Sequence, residues 1–353
     1  MARPAKKLPP MILELLPTHS RDLVTAVAER ANVSRPTVSS HIRKLERDGW
    51  ITSIGTTHKT YRLGAKRLRL RALPISKDLD ESQIWREEFS VLAGDMSQNV
   101  RQILEHGFTE MVNNVKDHSG GATLSCAFMA SPSQVTLAIY DDGEGIFRRI
   151  RRLCGLADDR LALLELAKGK LTTDPANHSG EGIFFTSRAF DHFAILSGGL
   201  IFTHDANADW LQEEDGLTET KMPETGTGVF MMLARESKRD LQSVFDRFAA
   251  PEEFSFSKTI VPLRMARLGD ENLLSRSQAK RALSRVDRFK TVLFDFTEVQ
   301  SIGQAFADEI FRVFANAHPD VELIPVHFNE SVKKMLLHVG VSEDKLEAPN
   351  PEQ

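Results

Sequence analysis

Two cysteines in 353 residues, Cys126 and Cys154, are too few and too widely separated for a disulfide framework or a thiolate metal site. Their scarcity points to a reducing compartment. The chain also lacks any apolar stretch near the roughly 18 residues that crossing a bilayer requires. Met1 to Ser20 opens with basic residues and then Met11-Ile12-Leu13, but Glu14 and Pro17 interrupt a signal-peptide core. A cytoplasmic protein without a membrane partner is expected. No internal repeat and no low-complexity segment is present. A hydrophobic content of 41% over this length supports two or three packed domains.

The charge is small overall, −4, but unevenly spread. Residues 1–71 hold 15 Lys and Arg against 5 Asp and Glu, a net +10, and the remainder holds 30 against 44, a net −14. A basic end on an acidic body suggests that one module meets a polyanion and the others do not.

Residues 20–64 read as two helices, a tight turn and a hairpin. Ser20 caps a helix with Leu23, Val24, Val27 and Ala31 on one face. Asn32-Val33-Ser34 turns the chain, and Ser34 caps a second helix with Pro36 in its first turn and Val38, Ile42 and Leu45 as its buried stripe. Gly49 ends it, and 50–54 and 59–63 form a two-stranded wing. This resembles the winged helix-turn-helix of bacterial transcription regulators. The resemblance implies double-stranded DNA as partner, with Thr37, Ser39, Ser40 and Arg43 facing the groove and Arg35, Lys44, Lys59 and Arg62 on phosphates.

After a linker at 72–83, marked by Pro74, residues 84–250 carry the richest pattern. Glu110-Met111-Val112-Asn113-Asn114 sets a carboxylate and a carboxamide four residues apart on one helix face. Asp141-Asp142-Gly143-Glu144-Gly145 follows at the end of a strand, then Gly180-Glu181-Gly182 and Gly226-Thr227-Gly228. Each motif alone is common in ordinary helices and turns; four in this order resemble the nucleotide site of the GHKL ATPase superfamily. That resemblance implies an α/β sandwich binding ATP and Mg²⁺. Glu110 would polarise the attacking water, Asn114 would ligate the metal, and Asp117 would support the adenine site. Asp141 would accept the adenine amino proton. Gly143 and Gly145 would admit the backbone close to the ligand, Gly180 and Gly182 would meet phosphate, and Thr227 would lie near the base. The segment 146–179, read as mostly helical and polar, corresponds to the family's lid, with Lys168 and Lys170 as candidates to reach a phosphate. Neither a phosphoacceptor histidine box nor a downstream lysine-bearing domain is recognisable, so vigorous hydrolysis is not expected.

Residues 251–353 alternate β and α elements, and Asp295 to Gly303 is similar to the strand-to-helix turn of STAS domains. The position phosphorylated in anti-sigma-factor antagonists of that kind falls on Gln304 and Ala305, which removes the covalent switch. The expected architecture is multidomain α+β: a winged helix at 1–71, a GHKL sandwich and a small STAS-like α/β domain. The expected function is a homodimeric, ATP-binding transcription regulator, with a protein partner expected through the STAS-like domain. The competing reading is a GHKL serine/threonine kinase or ATPase acting on a protein.

Overall fold

A computed structural model describes residues 8–56, 59–171, 180–205, 225–249, 256–267 and 272–346. It shows a multidomain α+β protein in the expected order. The N-terminal module begins earlier than its pattern suggests. Leu8–Leu15 is a helix, α1, and Leu8, Ile12 and Leu16 are buried against α2 (Leu23–Ala31) and α3 (Arg35–Arg47). The stretch that resembled a broken leader is therefore part of a small core. Asn32, left-handed at φ 53°, closes α2, and the Ser34 hydroxyl accepts from Thr37 N to start α3. Strands β1 (Ile51–Ile54) and β2 (Thr60–Leu63) pair antiparallel as the wing.

The boundary expected after residue 71 falls inside a strand. β3 (Arg67–Pro74) pairs along its whole length with β4 (Thr123–Ala130), so it is the edge of the central sheet rather than a tail and linker. Only Gly64, Ala65 and Lys66 separate it from the wing. Gly64 N donates to Trp50 O and Lys66 N to Gly49 O, and a Cβ on Gly64 would lie 2.2 Å from Gly49 O. Arg67, buried at the start of β3, forks onto the Asp95 carboxylate at 2.7 and 2.6 Å.

The sheet runs β3-β4-β5-β8-β6-β7, antiparallel throughout, with β5 Gln134–Asp141, β6 His192–Ser197, β7 Leu200–Asp205 and β8 Thr227–Ala234. Ile195 to Asp205 reads in sequence as one strand but is a hairpin, because Gly198 and Gly199 both take positive φ in the turn. The helical pattern of 84–106 is likewise broken. α4 (Glu81–Ile84) passes through a wide turn and a tight one before α5 (Gln98–His118) begins at Ser97. α5 and α8 (Gly182–Ala189) cover one sheet face, burying Phe108, Phe128, Leu137, Ile195 and Met231 between the layers.

The C-terminal layer is a parallel sheet, β9 (Lys258–Pro262), β10 (Thr291–Asp295) and β11 (Glu322–Val326), with β10 central. It packs with α9 (Leu241–Phe248), α10 (Arg276–Leu283), the run from α11 (Gln304–Asp308) to α12 (Ala315–Ala317), and α13 (Glu330–His338). Its core crosses the expected boundary at 251, since Leu164, Phe184, Phe185 and Phe248 pack with Phe256, Phe289 and Phe294.

Candidate functional site

The site is built where α5, the end of β5, the start of β8 and the segment from α6 (Ile146–Cys154) to α7 (Leu161–Lys168) converge. They enclose a cavity of about 400 Å³. Glu110, Asn114, Asp117, Asp141, Gly145, Gly180, Gly182 and Thr227 all line it, although they span 117 positions of sequence.

Asp141 ends β5 and is 3% exposed. Burial pushes its carboxyl above the ordinary carboxylate range, and the neighbouring Asp142 charge adds to this. Bonds from Gly143 and Thr227 oppose both effects. Gly143 does not line the cavity. Its N–H donates to Asp141 Oδ1 at 2.9 Å, and a Cβ there would lie 2.1 Å from Ser119 O. Its glycine serves the docking of the carboxylate against the end of α5, not an approach to ligand. Gly145, at φ 91°, caps α6, and a Cβ would meet Ser197 Oγ at 2.7 Å. Thr227 pairs with Asp141 across the sheet, and its hydroxyl accepts from Ile146 N at 3.1 Å, tying the base of the cavity to α6.

On α5, the Asn114 amide nitrogen sits 3.9 Å from Met111 Sδ. A Cβ on Gly182 would lie 2.1 Å from Glu110 Oε2, so a larger residue at the start of α8 would push that carboxylate aside. The cavity's wall toward the C-terminal layer is Leu166, Gly169 and Leu171.

Lys168 and Lys170 do not reach the cavity. Lys168 is 1% exposed, with Nζ 2.7 Å from Glu165 Oε1 and 2.6 Å from Ser284 O; burial pulls it down to about 8. Lys170 donates to Arg288 O and lies over the Phe289 ring. Every residue of α7 is buried, so the expected polar lid is here a packed helix; residues 172–179 lie outside the described residues. Sequence reasoning missed Arg149, which lines the cavity from α6 with Nη1 3.3 Å from Glu144. The spacing of Ile146, Phe147, Ile150 and Leu153 signals one apolar face and leaves the intervening arginines on the others.

The second surface is α3. Arg35, Thr37, Ser40, Arg43 and Lys44 are exposed along it, Ser39 is half-buried, and Val38, Ile42 and Leu45 face inward. Arg62 is exposed on the wing. Lys59 is already engaged, with Nζ 3.6 Å from Glu46 Oε2 on α3. No described helix is long and apolar enough to cross a membrane.

Comparison with known families bears on the two ends. Residues 12–52 match winged helix-turn-helix DNA-binding, and residues 278–333 match the STAS-like domain of unknown function (DUF4325). No curated protein matches the chain. The molecule thus carries an N-terminal winged helix-turn-helix, the module of a DNA-binding regulator, and a C-terminal STAS-like domain.

Proposed function

We propose that this protein is a DNA-binding transcription regulator switched by adenine nucleotide, with ATP and Mg²⁺ taken by a GHKL-type site in the central domain. One observation carries the reading: residues 117 positions apart line a single cavity of about 400 Å³, within the usual range of small-ligand sites. The chemistry of the lining fits the group. A buried acceptor, Asp141, stands at one end for an exocyclic amine. Glycines at 180 and 182 open α8 toward the cavity, and Arg149 brings a cation to it. Asn114 is a sufficient protein ligand for magnesium, which keeps most of its waters and takes phosphate oxygens. When bound, that ion would neutralise charge on the phosphates. Glu110, which lines the same cavity, would act as the base for a water aligned with the terminal phosphate.

The kinase reading lacks an in-chain substrate, because the STAS-like turn presents Gln304 and Ala305 where a phosphorylatable hydroxyl would sit. DNA binding by fluorescence anisotropy, run without nucleotide, with ADP and with a non-hydrolysable ATP analogue, tests the proposal. Distinct affinities are expected. Identical affinities with nucleotide demonstrably bound would remove the switch, and no binding of nucleotide by calorimetry would remove the site.

A further inference from the structure

The sheet face turned away from α5 and α8 is apolar, and no described element covers it. The continuous registers place its outward residues in three rows across six strands. One row is Leu70, Ala127, Ala138, Phe230, Ala194 and Thr203. A second is Leu68, Met129, Thr136, Met232, His192 and Asp205, and a third is Ala72, Ser125, Tyr140, Gly228, Leu196 and Ile201. Leu70 is 61% exposed, Leu68 46%, Phe230 41% and Met129 38%. Among these positions the sole carboxylate is Asp205, at a corner and paired with His192 at 2.9 Å. An antiparallel sheet with one face in water alternates apolar inward and polar outward. Here both faces are apolar, so the outer one is built to be covered.

We infer that it is covered by the same face of a second copy, giving a homodimer that stacks sheet on sheet. The extent is right. Strands about 4.8 Å apart and rows about 6.7 Å apart give a plane of roughly 500 Å² per copy before side-chain relief. That approaches the roughly 800 Å² of accessible surface each partner contributes to a standard interface. The chemistry is right as well, because an uncharged centre with polar groups at the margin marks an interface core. A broad, unbulged face offers neither the groove that seats a helix nor the free edge that pairs a peptide. The face is also self-complementary. A two-fold axis along the strands, between β5 and β8, brings β5 of each copy over β8 of the other. Phe230 then lies over Ala138, and Leu70 over Thr203. This dimer is independent of whether the cavity takes nucleotide. One consequence rests on the winged-helix reading. β3 belongs to the face and is pinned to the wing through Gly64 and Lys66, so stacking the sheets fixes the separation of two DNA-binding helices.

The test is sedimentation of the full chain at micromolar concentration. The wild type is expected to sediment as a dimer, and Leu70→Glu and Phe230→Arg as monomers. Both side chains are solvent-facing within one copy, so the circular dichroism spectra of the variants should match the wild type, while their melts lose the protein-concentration dependence that dimerisation gives. Leu274→Glu, at an exposed leucine in the STAS-like domain, should leave the dimer intact. A monomeric wild type would overturn the inference. So would a dimer that survives both sheet-face substitutions, or one that Leu274→Glu dissolves.

Discussion

Arg285 Nε, in the STAS-like domain, lies 2.7 Å from Glu165 Oε2 on α7, which walls the cavity. Arg285 also donates to the Glu165 and Lys170 carbonyls, Lys168 binds Ser284 O, and the Thr259 hydroxyl donates to Lys168 O. One carboxylate therefore neutralises two cations, Lys168 on its own helix and Arg285 across the boundary between domains. Removing it strands both, at a cost of about 3–5 kcal/mol for a buried pair broken on one side. Lys168→Met should cost much less, since it leaves Glu165 with Arg285. Urea titration should place Glu165→Ala well below Lys168→Met; equal midpoints would show that the network carries no net stability. Glu165→Ala should also weaken nucleotide binding, because Leu166 and Gly169 hold the cavity wall.

For DNA, Arg43 is exposed on α3 and should read bases, so Arg43→Ala should relax sequence preference at one position by about 1–3 kcal/mol. Lys44→Ala and Arg62→Ala should weaken all sequences alike and reduce the salt slope by about one each. Lys59→Ala should change the slope less, because Glu46 already pairs with that charge. Operator and random duplexes titrated at several salt concentrations separate these outcomes. A larger slope change for Lys59 than for Arg62 would reverse the assignment.

The helices and strands carrying Ser34, Glu110, Asp141 and Asp295 were legible because their caps and periodicities act locally. What the sequence concealed depended on distant partners. Arg67, Arg69 and Arg71 read as part of the basic N-terminal module, but their acids, Asp95 and Glu88, lie 17 to 28 residues onward and draw the segment into the sheet. The segment 146–179 reads as polar, yet its α7 is apolar but for Glu165 and Lys168, and the residues that hold them against the C-terminal layer, Arg285 and Thr259, follow more than 90 positions later. The cavity residues were read from family resemblance, and their convergence is a property of the fold. Arg149 carried no motif of its own.

Glu110 and Asn114 should separate chemistry from binding. Glu110→Ala should abolish phosphate release while largely sparing ATP affinity. Asn114→Ala should weaken both, and the loss in affinity should vanish when magnesium is withheld. A wild type with no phosphate release under any condition would leave a binding site without hydrolysis. An Asn114→Ala loss that persists without magnesium would assign that side chain to the nucleotide itself.

Asp141 makes nucleotide binding depend on pH. Accepting an amine proton requires the ionised carboxylate, and burial raises the pH at which that form is lost. The sign follows from proton counting. The apo folded state holds a proton at Asp141 up to a higher pH than the unfolded chain. Burying the charge thus costs stability at neutral pH, and the cost is relieved as pH falls through the raised value. Ligand acts oppositely, because it binds the charged form and competes with the proton. ADP affinity should therefore decline on acidification while ordinary surface carboxylates remain ionised, and the thermal shift given by ADP should shrink with it. Asp141→Asn removes the titration, so its weakened affinity, lower by about 1–3 kcal/mol, should be flat over the same range. Calorimetry from neutral pH to the onset of acid unfolding decides the matter. Parallel pH profiles for wild type and Asp141→Asn would mean that another group senses the proton and that Asp141 does not meet the base.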